Sequence, residues 1–147
     1  MYGHMNNSIY AFLFDSIVNS YLIAHCGLDP FMGRGSSSSS AASSDRSADS
    51  KRSSQIGLVV SSYCDYFSSV SFPSVLELGL RAVKLGSSSV TYEIGVFCRG
   101  EEEVKVVGGY THVFVQREGM RPSKDGMEKV VREGLEKLRV DERPAKL

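Results

Sequence analysis

The feature that most restricts the fold is a run of alternating apolar and polar residues that starts near Ile56 and continues to about residue 117. It divides into four segments, roughly 57–69, 74–85, 88–99 and 103–117. In the second, Leu76, Leu78, Leu80 and Ala82 alternate with Glu77, Gly79 and Arg81; in the third, Val90, Tyr92, Ile94 and Val96 alternate with Thr91, Glu93 and Gly95. A period of two puts the apolar set on one face of a strand and the polar set on the other. The connections are short and rich in turn formers: Phe72-Pro73-Ser74, Gly86-Ser87 and Arg99-Gly100-Glu101-Glu102. Parallel neighbours need a crossover of a dozen or more residues, so these strands are antiparallel neighbours. Their length suits a curved sheet, and its apolar face must be covered by another layer.

The cover is available upstream. Asn6, Asn7 and Ser8 are residue types that start helices, because a side-chain oxygen accepts a backbone N–H left without a partner. From Tyr10 the apolar residues fall at 10, 13, 14, 17, 18, 21 and 22, which is helical spacing. Asp15, Ser16 and Asn19 fill the rest of the arc, and Gly27 is a stop. This gives a largely covered helix of about five turns. Downstream, Met127, Val130, Val131, Leu135 and Leu138 share one face of an amphipathic helix predicted over 124–139. The order helix, four strands, helix is a two-layer α+β domain. Between the first helix and the strands, eleven of the 22 residues from Arg34 to Gln55 are serine, with no aromatic or large aliphatic side chain. Such a stretch buries too little apolar surface to offset its ordering entropy, and is read as a disordered surface insertion.

At 147 residues the chain is sized for one domain. Lys plus Arg equals Asp plus Glu at 17 each, so no net basic charge points to a nucleic-acid partner or an anionic membrane. The apolar stretch Ile9–Ala24 is too short and too polar for a membrane span and lacks the layout of a signal peptide. Cys26, Cys64 and Cys98 are odd in number and widely spaced; they read as buried reduced thiols, with no disulfide framework and no metal-ligand spacing. No metal or other cofactor is expected.

The opening Tyr2-Gly3-His4-Met5-Asn6-Asn7-Ser8-Ile9-Tyr10 resembles the Gly-His-x-Asn-Asn-x-x-Tyr signature of hot-dog thioesterases of the 4-hydroxybenzoyl-CoA thioesterase type. Two strand motifs follow in register: Asp65-Tyr66 through Val70-Ser71-Phe72, and Leu85-Gly86-Ser87-Ser88-Ser89-Val90-Thr91-Tyr92-Glu93. The resemblance implies a hot-dog fold, with a long central helix wrapped by a curved antiparallel sheet, over residues 1–120, the serine-rich insertion at 34–55, and a C-terminal amphipathic helix and tail over 121–147. It implies acyl-CoA as substrate, hydrolysis to a free acid and coenzyme A, and a homodimer or homotetramer with the site between subunits. The expected compartment is the cytoplasm or the mitochondrion. The sequence departs from the pattern in two places. Counting back from Gly3, the family's catalytic aspartate falls just before Met1, and a first strand would lie further upstream. The basic residue usual in the helix is replaced at Val18. A chain without that aspartate could instead be a non-catalytic module for dimerisation or acyl binding.

Thioester hydrolysis needs an activated water and donors for the oxyanion that forms on the carbonyl. The first N–H groups of a helix have no intrahelical partner and meet developing negative charge favourably. The catalytic candidates are therefore Asn7, through its backbone amide, and His4, which would orient the acyl group or the water. Gly3, Asn6 and Tyr10 are the substrate-binding candidates. Asn6 and Asn7 also read as helix caps, and His4 equally as a loop histidine bonded to backbone. Asp15 lies more than two turns from the helix start and is expected on a polar face or an interface. His25 is expected to serve the helix end, and His112 to be packed and hydrogen-bonded in the last strand. No nucleophile-elbow motif is present, which argues against a serine hydrolase.

Overall fold

The structure, a computed structural model, describes residues 7–28, 53–71 and 73–140. The elements are α1 (Asn7–His25), β1 (Gln55–Tyr66), β2 (Leu76–Leu85), β3 (Ser89–Cys98), β4 (Val104–Gln116) and α2 (Lys129–Glu136). The four strands form one antiparallel sheet in the order β1-β4-β3-β2. The short turns make a meander of β2, β3 and β4, which leaves the far edge of β4 for β1. This is the α+β hot-dog arrangement expected from the alternation and the single long helix.

Helical periodicity explains how α1 sits. Tyr10, Phe14, Val18, Leu22 and Cys26 recur every four residues and are all buried, a single ridge along the helix and its C-terminal end. The sheet meets that ridge with Ala82 of β2, with Val90, Tyr92, Ile94 and Val96 of β3, and with Val106, Tyr110 and Phe114 of β4. Within β3 and within β4 these residues are two or four positions apart, as a period of two requires. Each fully buried aliphatic or phenyl group contributes about 2 kcal/mol through removal from water. Two glycines make room for the close layer. A Cβ at Gly108 would lie 2.1 Å from Cε2 of Phe14, and one at Gly57 would lie 2.6 Å from Nδ1 of His112.

β1 changes face midway. Gly57 and Val59 pair with Phe114 and His112, whereas Ser62, Cys64 and Tyr66 pair with Tyr110, Gly108 and Val106, across a bulge between Val59 and Ser61. Cross-strand partners share a face. Odd residues therefore face α1 before the bulge and even residues after it. Simple alternation does not reveal this switch.

The sequence-based boundaries need two corrections. Ser53, Ser54 and Gln55, assigned to the insertion 34–55, belong to the folded domain. Gln55 is fully buried: its side-chain amide donates to Gly126 O at 3.0 Å, and its carbonyl oxygen accepts from the Glu128 backbone N–H at 2.9 Å. The Ser54 hydroxyl donates to the Glu128 carboxylate at 2.6 Å. A polar composition hid residues whose polar groups are satisfied by distant partners. The rest of the insertion, from residue 34 to 52, lies outside the described residues. The C-terminal helix, predicted over 124–139, is confined to Lys129–Glu136. Ahead of it Gly126 adopts φ +77°, a left-handed turn conformation, and the Met127 N–H donates to Ser87 O at 2.8 Å. Behind it the chain turns onto β2, where the Ala82 N–H donates to Leu138 O at 2.9 Å and the Val140 N–H to Ala82 O at 3.3 Å. Backbone partners outside the helix win at both ends.

α2 closes the C-terminal end of α1. Its buried Val131 and Leu135 join the core, Gly134 lies directly on His25 and Cys26, and the Tyr21 hydroxyl donates to Gly134 O at 2.6 Å. Arg132 donates to Gly86 O at 2.7 Å, fastening the β2–β3 hairpin. Of the cysteines only Cys26 is fully buried, and burial pushes its thiol up to about 12; Cys64 and Cys98 are half-buried rather than buried, and all three are free. Among the described residues no helix is long and apolar enough to cross a membrane, and no group of three His, Cys, Asp or Glu side chains could hold a metal ion.

His112 is packed as expected, with Tyr110 and Tyr92 rings at 4.9 and 5.4 Å, but its Nδ1 has no hydrogen-bond partner. Burial, only partly opposed by Asp15, lowers its pKa from 6.5 to about 4. The native state therefore holds the imidazole neutral, while the unfolded chain takes up a proton below about 6.5. Stability is complete above that pH and falls as pH drops toward 4, by on the order of 3 kcal/mol. Denaturant midpoints measured from pH 7 to pH 4 are expected to fall in the wild type and to fall less in His112→Gln. A second expectation concerns the insertion. The Ser53 N–H donates to Gly27 O at 2.7 Å, so the two residues that flank the segment lie side by side. Replacing residues 29–52 by about six glycines and serines should leave the unfolding midpoint unchanged or raise stability by about 1 kcal/mol, through the smaller cost of closing a shorter loop. A fall in the midpoint would show that the replaced residues support the domain.

Candidate active site

A cleft of about 380 Å³ opens between α1 and β1. Its walls follow from the two periodicities. Tyr10 and Phe14, one turn apart on α1, meet Cys64 and Tyr66, alternate residues of β1 beyond the bulge, with Tyr110 of β4 alongside. Asp15 stands at the helix side of the opening. The Tyr10 and Tyr66 rings meet edge to face with centroids 5.3 Å apart, a favoured geometry for aromatic pairs. The Tyr110 hydroxyl points at Phe14 O at 3.5 Å.

The electrostatics keep the phenols neutral. A hydrogen bond with Cys64, and then burial, push Tyr66 up to about 12. Tyr10 is raised by burial and secondarily by Cys64 and Cys98, and Tyr110 by burial and then Asp15. Asp15 is thus the charged side chain in an otherwise neutral, mainly aromatic lining. Such a wall accepts an apolar or aromatic group, and its hydroxyls offer hydrogen bonds without repelling a negative charge.

Of the sequence-derived site residues, Tyr10 is in the cleft wall. Asn7 is the first residue of α1, one turn before Tyr10. Gly3, His4 and Asn6 lie outside the described residues. Asp15, expected on a polar face or interface because of its distance from the helix start, is exposed and lines the cleft alongside Tyr10. The cleft runs along the helix, so distance from the helix start does not remove a residue from it. Cys64, Tyr66 and Tyr110 were not singled out from the sequence. Alternation could have found Tyr110, but Cys64 and Tyr66 reach the inner face only because of the bulge.

The chain matches the thioesterase superfamily over residues 2–105. The crystal structure of protein PA5185 from Pseudomonas aeruginosa strain PAO1 is similar at 40% identity, covering 96% of this chain and 83% of that one, with a TM-score of 0.77. Staphylococcus aureus protein SAV2348, solved in complex with CoA, shares the fold at 11% identity and a TM-score of 0.70, covering 95% of this chain and 77% of that one. No curated protein matches the chain. The long helix on its antiparallel sheet, the cleft beside the helix start and this family match lead to one conclusion: the chain is a hot-dog member of the thioesterase superfamily.

Proposed function

We propose that the chain hydrolyses acyl-CoA thioesters to a free acid and coenzyme A, as a homodimer or a dimer of dimers, in the cytoplasm or the mitochondrion. The observation that carries this reading is the position of the α1 start one turn from an aromatic cleft. An acyl group in the cleft would have its carbonyl near the first amides of the helix. Those N–H groups have no intrahelical acceptor, and the helix dipole adds to their pull on a developing oxyanion. Attack by water, which gives a proton to a carboxylate base, forms the C–O bond; the tetrahedral oxyanion then collapses, the C–S bond breaks and the coenzyme A thiolate takes up that proton as it leaves. Asp15 is the carboxylate that the described residues bring to the cleft. His4, Gly3 and Asn6 are proposed to position the thioester. The complex of SAV2348 with CoA supports the choice of leaving group.

The dimer is argued from the free edge of the sheet. Among the described residues β1, twelve residues long, pairs with β4 alone. Val59, Val60, Tyr63, Tyr66 and Phe67 on or just beyond it are exposed, as is Phe12 of α1 at 71%. A long apolar edge strand left bare invites aggregation, and a second copy placed edge to edge would cover it and close one side of the cleft.

Three outcomes test this. Free-thiol release from a panel of acyl-CoAs should be catalysed by the 147-residue chain; binding without release would support the acyl-binding module instead. Asn7→Pro removes one backbone N–H at a position where helices tolerate proline. It should lower kcat by about 10²–10³-fold with little change in Tm, and an unchanged kcat would remove the helix start from the mechanism. Val60→Lys should convert dimers to monomers in light scattering, whereas a wild type that is already monomeric would refute the edge-to-edge arrangement.

A further inference from the structure

We propose that Phe14, seated in the notch left by Gly108, is the residue that limits the length of the acyl group, making this a site for short-chain or single-ring acyl groups. The inference rests on reading the cleft as the acyl site and adds what fixes its depth.

The ridge Tyr10-Phe14-Val18 runs inward along α1. Tyr10 and Phe14 line the cleft, whereas Val18 does not, so the cleft ends at the phenyl ring. That ring is 4% exposed and lies directly on the β4 backbone, at a position where even a methyl group would collide with it at 2.1 Å. The notch lets a large ring lie flat against the sheet instead of projecting into the cleft. Phe14 belongs to a core that continues through Val18 and Tyr92. The cleft volume of about 380 Å³ is at the small end for ligand sites, which run from roughly 300 to 1,000 Å³. Shrinking the ring therefore deepens the cleft, and filling the notch pushes the ring outward and makes it shallower. Two residues from different elements thus control one length in opposite senses.

The test compares straight-chain saturated acyl-CoAs of increasing length, read both as kcat/KM for thiol release and as affinity by calorimetry. Phe14→Leu and Phe14→Ala should move the optimum to longer chains, by about one and about three methylenes, with each newly accommodated methylene gaining about fourfold. Gly108→Ala should move it to shorter chains, and Phe14→Leu combined with Gly108→Ala should return it toward wild type. Folded variants that keep the wild-type length profile in both readouts would overturn the proposal. Should Phe14→Ala fail to fold, the leucine variant carries the same decision. A wild type that binds acyl-CoA without releasing thiol, yet shows these shifts in affinity, would sink the hydrolase reading and leave the length limit standing. Absence of any acyl-CoA binding would overturn both.

Discussion

Everything in this domain depends on how closely α1 approaches the sheet. The ridge Tyr10-Phe14-Val18-Leu22-Cys26 touches three strands at once, and it can do so because β4 withdraws its side chain at Gly108. The contact fixes the height of the helix above the sheet, and with it the position of the helix start. Interiors pack at crystal-like density, so one methyl group at that contact would be felt along the whole ridge. The same contact is the floor of the cleft. Stability and site geometry are thus set by the same side chains.

The cleft lies at the β1 side of the layer because the sheet extends further than the helix covers. Alternate residues of β3 and about half of β4 are buried, whereas much of β1 beyond Val59 is exposed. The bulge at that point turns Cys64 and Tyr66 inward to form a wall opposite Tyr10 and Phe14. Without the extra residue the same strand would present Asp65 to the helix in place of Cys64 and Tyr66. A one-residue irregularity therefore selects a neutral aromatic lining over a charged one.

Most of the architecture was legible because it follows from periodicity. The four strands, the five-turn helix and the antiparallel order all come from apolar spacing and short turns, and the boundaries agree to within a few residues. What was not legible depends on partners far away in sequence. Gln55 looked like the end of a polar tract, yet it is fully buried because Gly126 and Glu128 satisfy its amide. The last helix is shorter than its amphipathic pattern because β2 and Ser87 take over its flanking backbone. Asp15 was set aside on its distance along one helix, although a cleft is defined by two elements. Tyr10, named from its place in the Gly-His-x-Asn-Asn-x-x-Tyr signature, lines the cleft because it also lies on the buried ridge of α1.

The C-terminal segment has a consequence for assembly. Its hydrogen bonds reach back to Tyr21, Ala82, Gly86 and Ser87, partners more than forty residues earlier, so it gains nothing by ordering before the sheet exists. It is a seal placed on a finished domain, and where it crosses Ala82 it occupies part of the outer margin of β2. A sheet with one adhesive side pairs once and stops; a sheet with two can grow without limit. By crossing Ala82, the segment leaves that margin of β2 with fewer open backbone groups on which another strand could form.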